Sequence, residues 1–189
     1  MSPLGVAVEV LPFKMKYIPA IMSWVKTEAD MVQWAGHAFV WPMTQRQFHE
    51  HLRESKARLP SLYPFALWNR GRVFAYCELA NHQRNSSSAM LSRVIVAPRR
   101  RDKGYATFMI REVLRFGFGD LGLNRIWLGV FDFNKAAIAC YQRVGFVFEG
   151  TLRQSAKLGG SYWNCHVMSI LRNEWMNGHG VTTAQQQSG

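Results

Sequence analysis

Apolar residues in the first third of the chain follow two spacings, which predict different elements. Val6 to Leu11 alternates weakly and predicts a first strand, whereas Pro19 to Lys26 has the apolar spacing of a short helix. The stretch from Asp30 to Pro42 is rich in aromatic residues but is broken by Gly36 and by its final proline. We expect this stretch to be an ordered loop.

A complete helix-start signal follows that stretch. Thr44 is placed as an N-cap, and Gln47 stands three residues later as its capping-box partner. Met43 and Phe48 have the spacing of a hydrophobic staple. The pattern predicts a helix from Gln45 to about Arg58.

The remainder of the chain alternates between β-rich and helical patterns. The predicted strands are Tyr63–Trp68, Val73–Leu79, Met90–Val96, Arg125–Phe131, Phe146–Leu152 and Tyr162–Leu171, and the predicted helices are Gly104–Phe118 and Asn134–Val144. A polar loop is expected at Asn81–Ser88. After residue 60 the order is therefore β-β-β-α-β-α-β-β. This order combines hairpins with strand–helix–strand crossovers, which favours a mixed sheet flanked by helices, in the α/β or α+β class.

Composition limits the class of protein. The chain has 189 residues and is 48% hydrophobic, which is enough for one domain with a substantial core. We expect residues 1–176 to form that domain and the polar residues 177–189 to be a flexible tail. The N-terminus lacks the pattern of a signal peptide, and no apolar run is long enough to span a membrane.

The cysteines and the charge refine this description. Cys77, Cys140 and Cys165 are odd in number and form no C-x-x-C pair, which argues against disulfides and structural zinc and favours a reducing cytoplasm. We expect no metal. The formal net charge is +11, with the largest share in residues 61–120. Such a surface attracts nucleic acid, acidic membrane or a phosphorylated cofactor, and charge alone does not choose among them.

The basic loop from Arg99 to Ala106 is the first candidate for chemistry. It connects a strand to a helix, so unpaired N–H groups and the positive end of a helix dipole converge on one point. Gly104 permits close backbone approach, and Arg101 and Lys103 add positive charge. A pyrophosphate fits this arrangement, although a solvated basic turn is the alternative. The spacing supports neither a dinucleotide fold nor a Walker site.

Two motifs together resemble the GNAT superfamily of N-acetyltransferases. Arg101, Gly104 and Ala106 match the family's R/Q-x-x-G-x-G/A loop after a strand. Downstream, the segment Asn134–Phe146 is similar to the family's N-x-x-A-x-x-x-Y-x-x-x-G-F helix. The resemblance covers roughly residues 60–171, and residues 1–59 correspond to the variable acceptor-binding region. It implies a GNAT-like fold, with one mixed, mostly antiparallel twisted sheet of about seven strands.

The resemblance also implies roles for individual residues, with acetyl-CoA as co-substrate. The pantetheine arm would pair with the main chain of one strand and lie near Asn134, and the loop would hold the pyrophosphate. Tyr141 would direct its hydroxyl at the thioester sulfur as the general acid. Asn134 is alternatively only a helix cap, and Tyr141 only a buried ring. The implied cofactor-binding residues are Val94, Ile95, Val96, Arg101, Asp102, Lys103, Gly104, Tyr105, Ala106 and Asn134.

The general base is less well defined by the sequence. Glu78, on the strand before the cofactor strand, is the candidate, but an acidic residue on a strand is as often solvent-facing. His82 in the next loop is a similar candidate. We interpret His49 and His51 as surface residues and Cys140 as a packing residue.

The C-terminal segment is similar to the branch of ribosomal-protein N-terminal acetyltransferases, in which a longer hairpin closes over the acceptor. Asn164 stands where that branch leads us to expect Asp, so the identity of the acceptor is open. Large aromatic residues are candidates to line an acceptor pocket, although such residues are more often core. They are Trp34, Phe39, Trp41 and Tyr162.

The sequence thus predicts an N-acetyltransferase that moves an acetyl group to a primary amine of a small molecule or a protein N-terminus. Two alternatives remain. One is a non-catalytic CoA-binding module, and the other is a basic nucleic-acid-binding protein, which is disfavoured because aromatic residues are not interleaved with the basic run. We expect no membrane partner, and homodimer formation is left open.

Overall fold

The computed structural model describes residues 9–69 and 71–178, and its centre is one seven-stranded sheet in the order β1-β2-β3-β4-β5-β7-β6. Every neighbouring pair is antiparallel except β4 and β5, which are parallel. The predicted mixed sheet is therefore confirmed. The strands are β1 (Glu9–Pro12), β2 (Tyr63–Asn69), β3 (Arg72–Gln83), β4 (Ser88–Val96), β5 (Arg125–Phe131), β6 (Val147–Leu158) and β7 (Ser161–Leu171).

Helices cover both faces of the sheet. One face packs against α4 (Tyr105–Gly119), α5 (Lys135–Val144) and α6 (Arg172–Gly178), and the other against the N-terminal helices α1 (Ile18–Met22), α2 (Glu28–Ala35) and α3 (Gln45–His51). The alternation of side chains along β3 divides the two cores. Cys77 and Leu79 belong to the first core, and Tyr76 and Ala80 belong to the second.

The prediction of a loop from Asp30 to Pro42 is wrong, because residues 28–35 form α2. Thr27 caps this helix through a reciprocal capping box with Asp30, which outweighs the aromatic and β-branched content that disfavours a helix. The helix ends at Gly36, which has a positive φ of 59°. The breaker was therefore interpreted correctly as an end, but the element before it was missed.

The cap of α3 is partly as predicted. The Thr44 hydroxyl accepts the Gln47 N–H at 3.3 Å, but the Gln47 side chain accepts from the N–H of Val40 instead of completing the box. The helix ends at His51 and continues as a 3₁₀ turn over Leu52–Lys56, so the predicted single helix to Arg58 is too long.

The remaining differences concern element lengths. β3 extends to Gln83 through the start of the predicted loop, and β6 extends to Leu158. The end of the predicted tail, at Asn177 and Gly178, belongs to α6. The start of the first predicted strand, residues 6–8, and the tail beyond residue 178 lie outside the described residues.

The separation of β4 from β5 is the feature of the fold that creates the site. The two strands pair only between Ser88–Met90 and Arg125–Trp127. Beyond this short ladder they diverge, so the backbone of Val94–Val96 faces a gap in the centre of the sheet on its β5 side. A gap of this kind leaves backbone donors and acceptors available to a bound molecule.

Candidate functional site

A cleft of about 490 Å³ opens at the gap between β4 and β5, on the side covered by α4 and α5. The sequence-predicted strand Val94–Val96 forms one wall, and the predicted loop forms another with Arg101, Asp102 and Gly104–Ala106. Helix α5 contributes Tyr141. The structure therefore brings together both motifs, although they are distant in sequence.

The loop has the backbone geometry of an anion site. Asp102 and Gly104 both have left-handed backbones, with φ of 58° and 75°, and Gly104 is the N-cap of the 15-residue helix α4. No side chain caps this helix, so the first N–H groups of α4 remain available at the mouth of the cleft. Alternating left-handed residues before a helix N-terminus form a concavity that suits phosphate oxygens.

The two cationic side chains of the loop differ in position. Arg101 lines the cleft, and its Nε donates to the carbonyl of Val96 at 3.2 Å, which ties the loop to the end of β4. Lys103 is exposed and is absent from the described lining of the cleft. Arg100, which was not among the predicted site residues, lines the cleft and lies over the ring of Phe74.

A second cleft of about 350 Å³ lies on the other side of the gap, beneath α2. It is lined by Trp24, Trp34 and Gln33 from the N-terminal region, by Arg93 of β4 and by Gly129 of β5. Both clefts are lined by Val94–Val96, Arg101, Ala136, Ala137 and Tyr141. The clefts therefore meet at the diverging strands, which allows two molecules to enter from opposite sides.

Tyr141 lies where the clefts meet. Its ring is 9% exposed and packs edge-on against Phe146. Burial, reinforced by the nearby thiols of Cys140 and Cys77, raises the pKa of its hydroxyl well above the ordinary value. The hydroxyl therefore keeps its proton at neutral pH. The predicted role of Tyr141 as an acid stays a prediction.

Asn134 caps α5, as its sequence position indicated. Its Oδ1 accepts the N–H of Ala137 at 3.3 Å, and the residue lines the second cleft. Cys140, predicted to be a packing residue, lies against Thr107 of α4 with its sulfur 3.4 Å from the hydroxyl. It also lines the first cleft.

Glu78 is fully buried, so the alternative that it faces solvent is wrong. Its carboxylate accepts hydrogen bonds from the Tyr76 hydroxyl, from Nε2 of His51 at 2.9 Å and from Nη1 of Arg93 at 2.5 Å. Burial favours protonation, but the hydrogen bond and charge of His51 and the charge of Arg93 outweigh it, and the pKa of Glu78 is lowered. The predicted role of Glu78 as general base stays a prediction.

The interpretation of His51 as a surface residue is wrong, because its side chain is only 18% exposed and binds Glu78. Sequence reasoning missed this pair, and it also missed Arg93 and the second-cleft role of α2. The helical pattern around His51 was visible, but nothing in it indicates which strand lies beneath. His82 hydrogen-bonds the Tyr63 hydroxyl through Nδ1 and is absent from the described lining of both clefts.

Asn164 orders the hairpin formed by β6 and β7. Its Nδ2 donates to Oδ2 of Asp132 at 2.9 Å, and its Oδ1 accepts the N–H of Gln154 at 2.9 Å. Gln154 lies at a bulge of β6 with a positive φ of 52°. An aspartate at position 164 cannot donate to Asp132 when ionised, so the amide is the group that this contact needs.

The other candidate aromatic residues are divided. Trp34 lines the second cleft, and Phe39 is buried and stacks on it with ring centroids 5.8 Å apart. Trp41 and Tyr162 are exposed and are absent from the described lining of both clefts. The candidate acceptor wall therefore consists of α2 rather than of the whole aromatic stretch.

Within the described residues, no three His, Cys, Asp or Glu side chains are gathered as a metal site would require. In the same part of the chain no helix combines the length and the apolar character needed to cross a membrane.

Solved structures resemble the fold over most of the chain. The crystal structure of spermidine N-acetyltransferase from Vibrio cholerae in complex with CoA and spermine superposes with a TM-score of 0.79 at 22% identity, covering 90% of this chain and 98% of that one. A chimera of that enzyme with hSSAT gives a TM-score of 0.77 at 23% identity, again over 90% of this chain and 98% of the other. These likenesses show the fold.

Sequence comparison identifies the family. The spermidine N(1)-acetyltransferase of Vibrio cholerae is 34% identical over 85 residues, or 45% of this chain and 49% of that protein. The putative ribosomal N-acetyltransferase YdaF of Bacillus subtilis is 30% identical over 73 residues, or 39% and 40%. The chain thus spans about half the length or less of these curated relatives. Residues 28–146 match the acetyltransferase (GNAT) family, and the chain belongs to that family.

Proposed function

We propose that this protein transfers the acetyl group of acetyl-CoA to a primary amine. The observation that carries the proposal is the meeting of two clefts at the gap between β4 and β5, one with an anion-binding loop at its mouth and both bordered by Tyr141. Family membership supports the reaction class. The loop supplies a site for a pyrophosphate, and the unpaired stretch of β4 supplies hydrogen bonds for an amide-containing arm.

The chain's own groups fit this co-substrate. The backbone N–H groups of Gly104–Ala106 and the guanidinium of Arg101 hold the pyrophosphate. The main chain of Val94–Val96 pairs with the pantetheine amides, and Asn134 lies beside the arm. Asp102 and Tyr105 shape the loop, and Lys103 contributes to the field around the phosphates.

Acetyl-CoA supplies the activated acetyl group. The neutral amine enters through the second cleft and its nitrogen attacks the acetyl carbon, forming a C–N bond as the C–S bond breaks. The Tyr141 hydroxyl donates its proton to the departing sulfur, and the proton lost by the amine returns to the tyrosine through solvent. Because burial keeps this hydroxyl protonated, the acid is in its reactive form at neutral pH.

Replacing Tyr141 with Phe tests the proposed acid. We expect kcat to fall about 10²- to 10⁴-fold, the usual contribution of a general acid, with little change in the Kd of CoA. Calorimetric CoA binding and steady-state release of CoA thiol measure the two quantities. Tyr63→Phe is the matched control, because it removes a hydroxyl that binds His82 outside both clefts. Equal kcat values for the two variants would exclude Tyr141 as the acid.

The acceptor is proposed from the charge of the second cleft. Its described lining contains Arg93 and Arg101 and one carboxylate, that of Asp30, which already accepts the N–H groups of Lys26 and Thr27. Polyamines such as spermidine, the substrate named for several relatives, carry several positive charges, which this cleft does not neutralise. A peptide N-terminus, with a single positive charge, fits better and agrees with the resemblance to the ribosomal-protein branch.

The setting of the enzyme is also part of the proposal. Three free cysteines are consistent with a reducing cytoplasm. Residues 1–176 act as one domain, in which residues 1–59 supply the acceptor side and residues 60–171 supply the cofactor core. Homodimer formation stays a prediction, with the exposed apolar side chains Val147, Phe148 and Leu152 of edge strand β6 as its candidate surface.

A further inference from the structure

Glu78 has the environment of a structural anchor and is separated from both clefts. It is fully buried and is absent from the described lining of either cleft. The groups that face it are the Tyr76 hydroxyl, the imidazole of His51 and the guanidinium of Arg93. These donors occupy both carboxylate oxygens, so an amine in the second cleft has no direct path to them.

Arg93, the ionic partner of Glu78, lies at an irregularity of β4. Along β3, Tyr76 and Glu78 are two residues apart, whereas their partners Ile95 and Ser92 on β4 are three residues apart. One extra residue is therefore inserted in β4, and Arg93 has a left-handed φ of 52° at this point. Such a backbone is strained for arginine and persists only when its surroundings hold it.

The side chain of Arg93 is held at this bulge by two oxygens. Its Nη1 donates to Oε2 of Glu78 at 2.5 Å and to the Ser92 hydroxyl at 3.1 Å, and only 15% of the side chain is exposed. A buried guanidinium needs a counter-charge, and Glu78 is the carboxylate that supplies it. Glu78 therefore compensates the strained, buried arginine.

The backbone of the same residue holds the acceptor wall. The indole Nε1–H of Trp34, on α2, donates to the carbonyl oxygen of Arg93 at 2.8 Å. Trp34 and Arg93 both line the second cleft. A continuous series of contacts thus runs from the carboxylate through the arginine side chain and backbone to the helix that covers the acceptor cleft.

We propose that Glu78 is a positioning residue, which acts through Arg93 to fix the bulge of β4 and, through the Arg93 carbonyl, the Trp34 wall of the acceptor cleft. The kinetic part of this inference rests on the proposed acetyl transfer, and the contact itself does not. Glu78 then sets how the amine is oriented and does not itself accept the amine's proton.

A double-mutant cycle separates this role from that of a base. Glu78→Gln leaves the Arg93 cation uncompensated, so we expect kcat/KM for the amine to fall about tenfold or more, mainly through the KM of the amine. In the double variant Glu78→Gln/Arg93→Gln the buried charge is gone and the two amides can bond to each other. We expect it to recover a large part of that loss. Glu112→Gln, which breaks an exposed pair on α4, is the control and should change neither constant.

The pH dependence of kcat/KM supplies the second readout. A positioning role lowers the whole profile of Glu78→Gln without removing a limb. Loss of the limb that reports the base, with a fall of 10²-fold or more that the second substitution does not recover, would overturn the proposal.

The Trp34 indole resonance tests the contact independently of turnover. The chain has 7 tryptophans, and Trp34→Phe assigns this N–H in a ¹H–¹⁵N spectrum. We expect its exchange with water to accelerate about tenfold in Glu78→Gln and to slow again in the double variant. Unchanged exchange in the single variant would overturn the positioning role even if acetyl transfer is observed. The expected exchange pattern without transfer would instead contradict only the proposed function.

Discussion

At the scale of single residues, the sequence predicts groups whose role depends on neighbours close in the chain. Asn134 is a helix cap because its partner is Ala137, and Gly104 takes a left-handed φ because a helix begins after it. The burial of Glu78 was not predictable in this way. Both faces of the sheet are covered, and its partners His51 and Arg93 lie 27 and 15 positions away, so no local pattern reveals them.

The contact between Asn164 and Asp132 leads to a prediction about the hairpin. Asn164→Asp replaces an amide donor with a second carboxylate, so Asp132 loses a hydrogen bond and gains a like charge. We expect the free energy of unfolding in urea to fall by about 1–3 kcal/mol at neutral pH. Adding Asp132→Asn restores a donor and should recover most of that loss. Unchanged stability of Asn164→Asp would show that the amide does not hold the hairpin.

At the scale of elements, the sequence predicted the strands and helices of the cofactor side but missed α2. Regular alternation and clear end signals define β4, α4 and α5. In α2, the capping box at Thr27 was present in the sequence, yet the aromatic content and the breaker at Gly36 outweighed it. The missed helix is the wall of the second cleft, so the acceptor side was the less predictable half of the site.

The start of α4 makes a testable prediction, because Gly104 holds a φ of 75° where the phosphates are proposed to bind. Gly104→Ala disfavours this backbone by about 1 kcal/mol, and we expect the Kd of CoA to rise about fivefold. Gly71→Ala is the matched control, since Gly71 has a φ of 78° in the turn before β3. It should lower stability similarly and leave CoA affinity unchanged. Equal CoA affinities for the two variants, measured by calorimetry, would place the phosphates elsewhere.

At the scale of the whole molecule, element order predicted the mixed sheet, because crossovers and hairpins permit few arrangements. The gap between β4 and β5 was not predictable, since it depends on a bulge and on how far a parallel ladder extends. That gap joins the two clefts, and it is the reason why residues of two separate motifs border one site.

The most direct test of acetyl transfer is steady-state release of CoA thiol from acetyl-CoA, with the N-acetylated product identified by mass spectrometry. The amines are peptides with free N-termini, small monoamines and spermidine. We predict amine-dependent release with the wild-type chain, with peptide N-termini giving a higher kcat/KM than spermidine, and a large loss in Tyr141→Phe. Tight CoA binding without product from any of these amines would contradict the account and leave a CoA-binding module in its place.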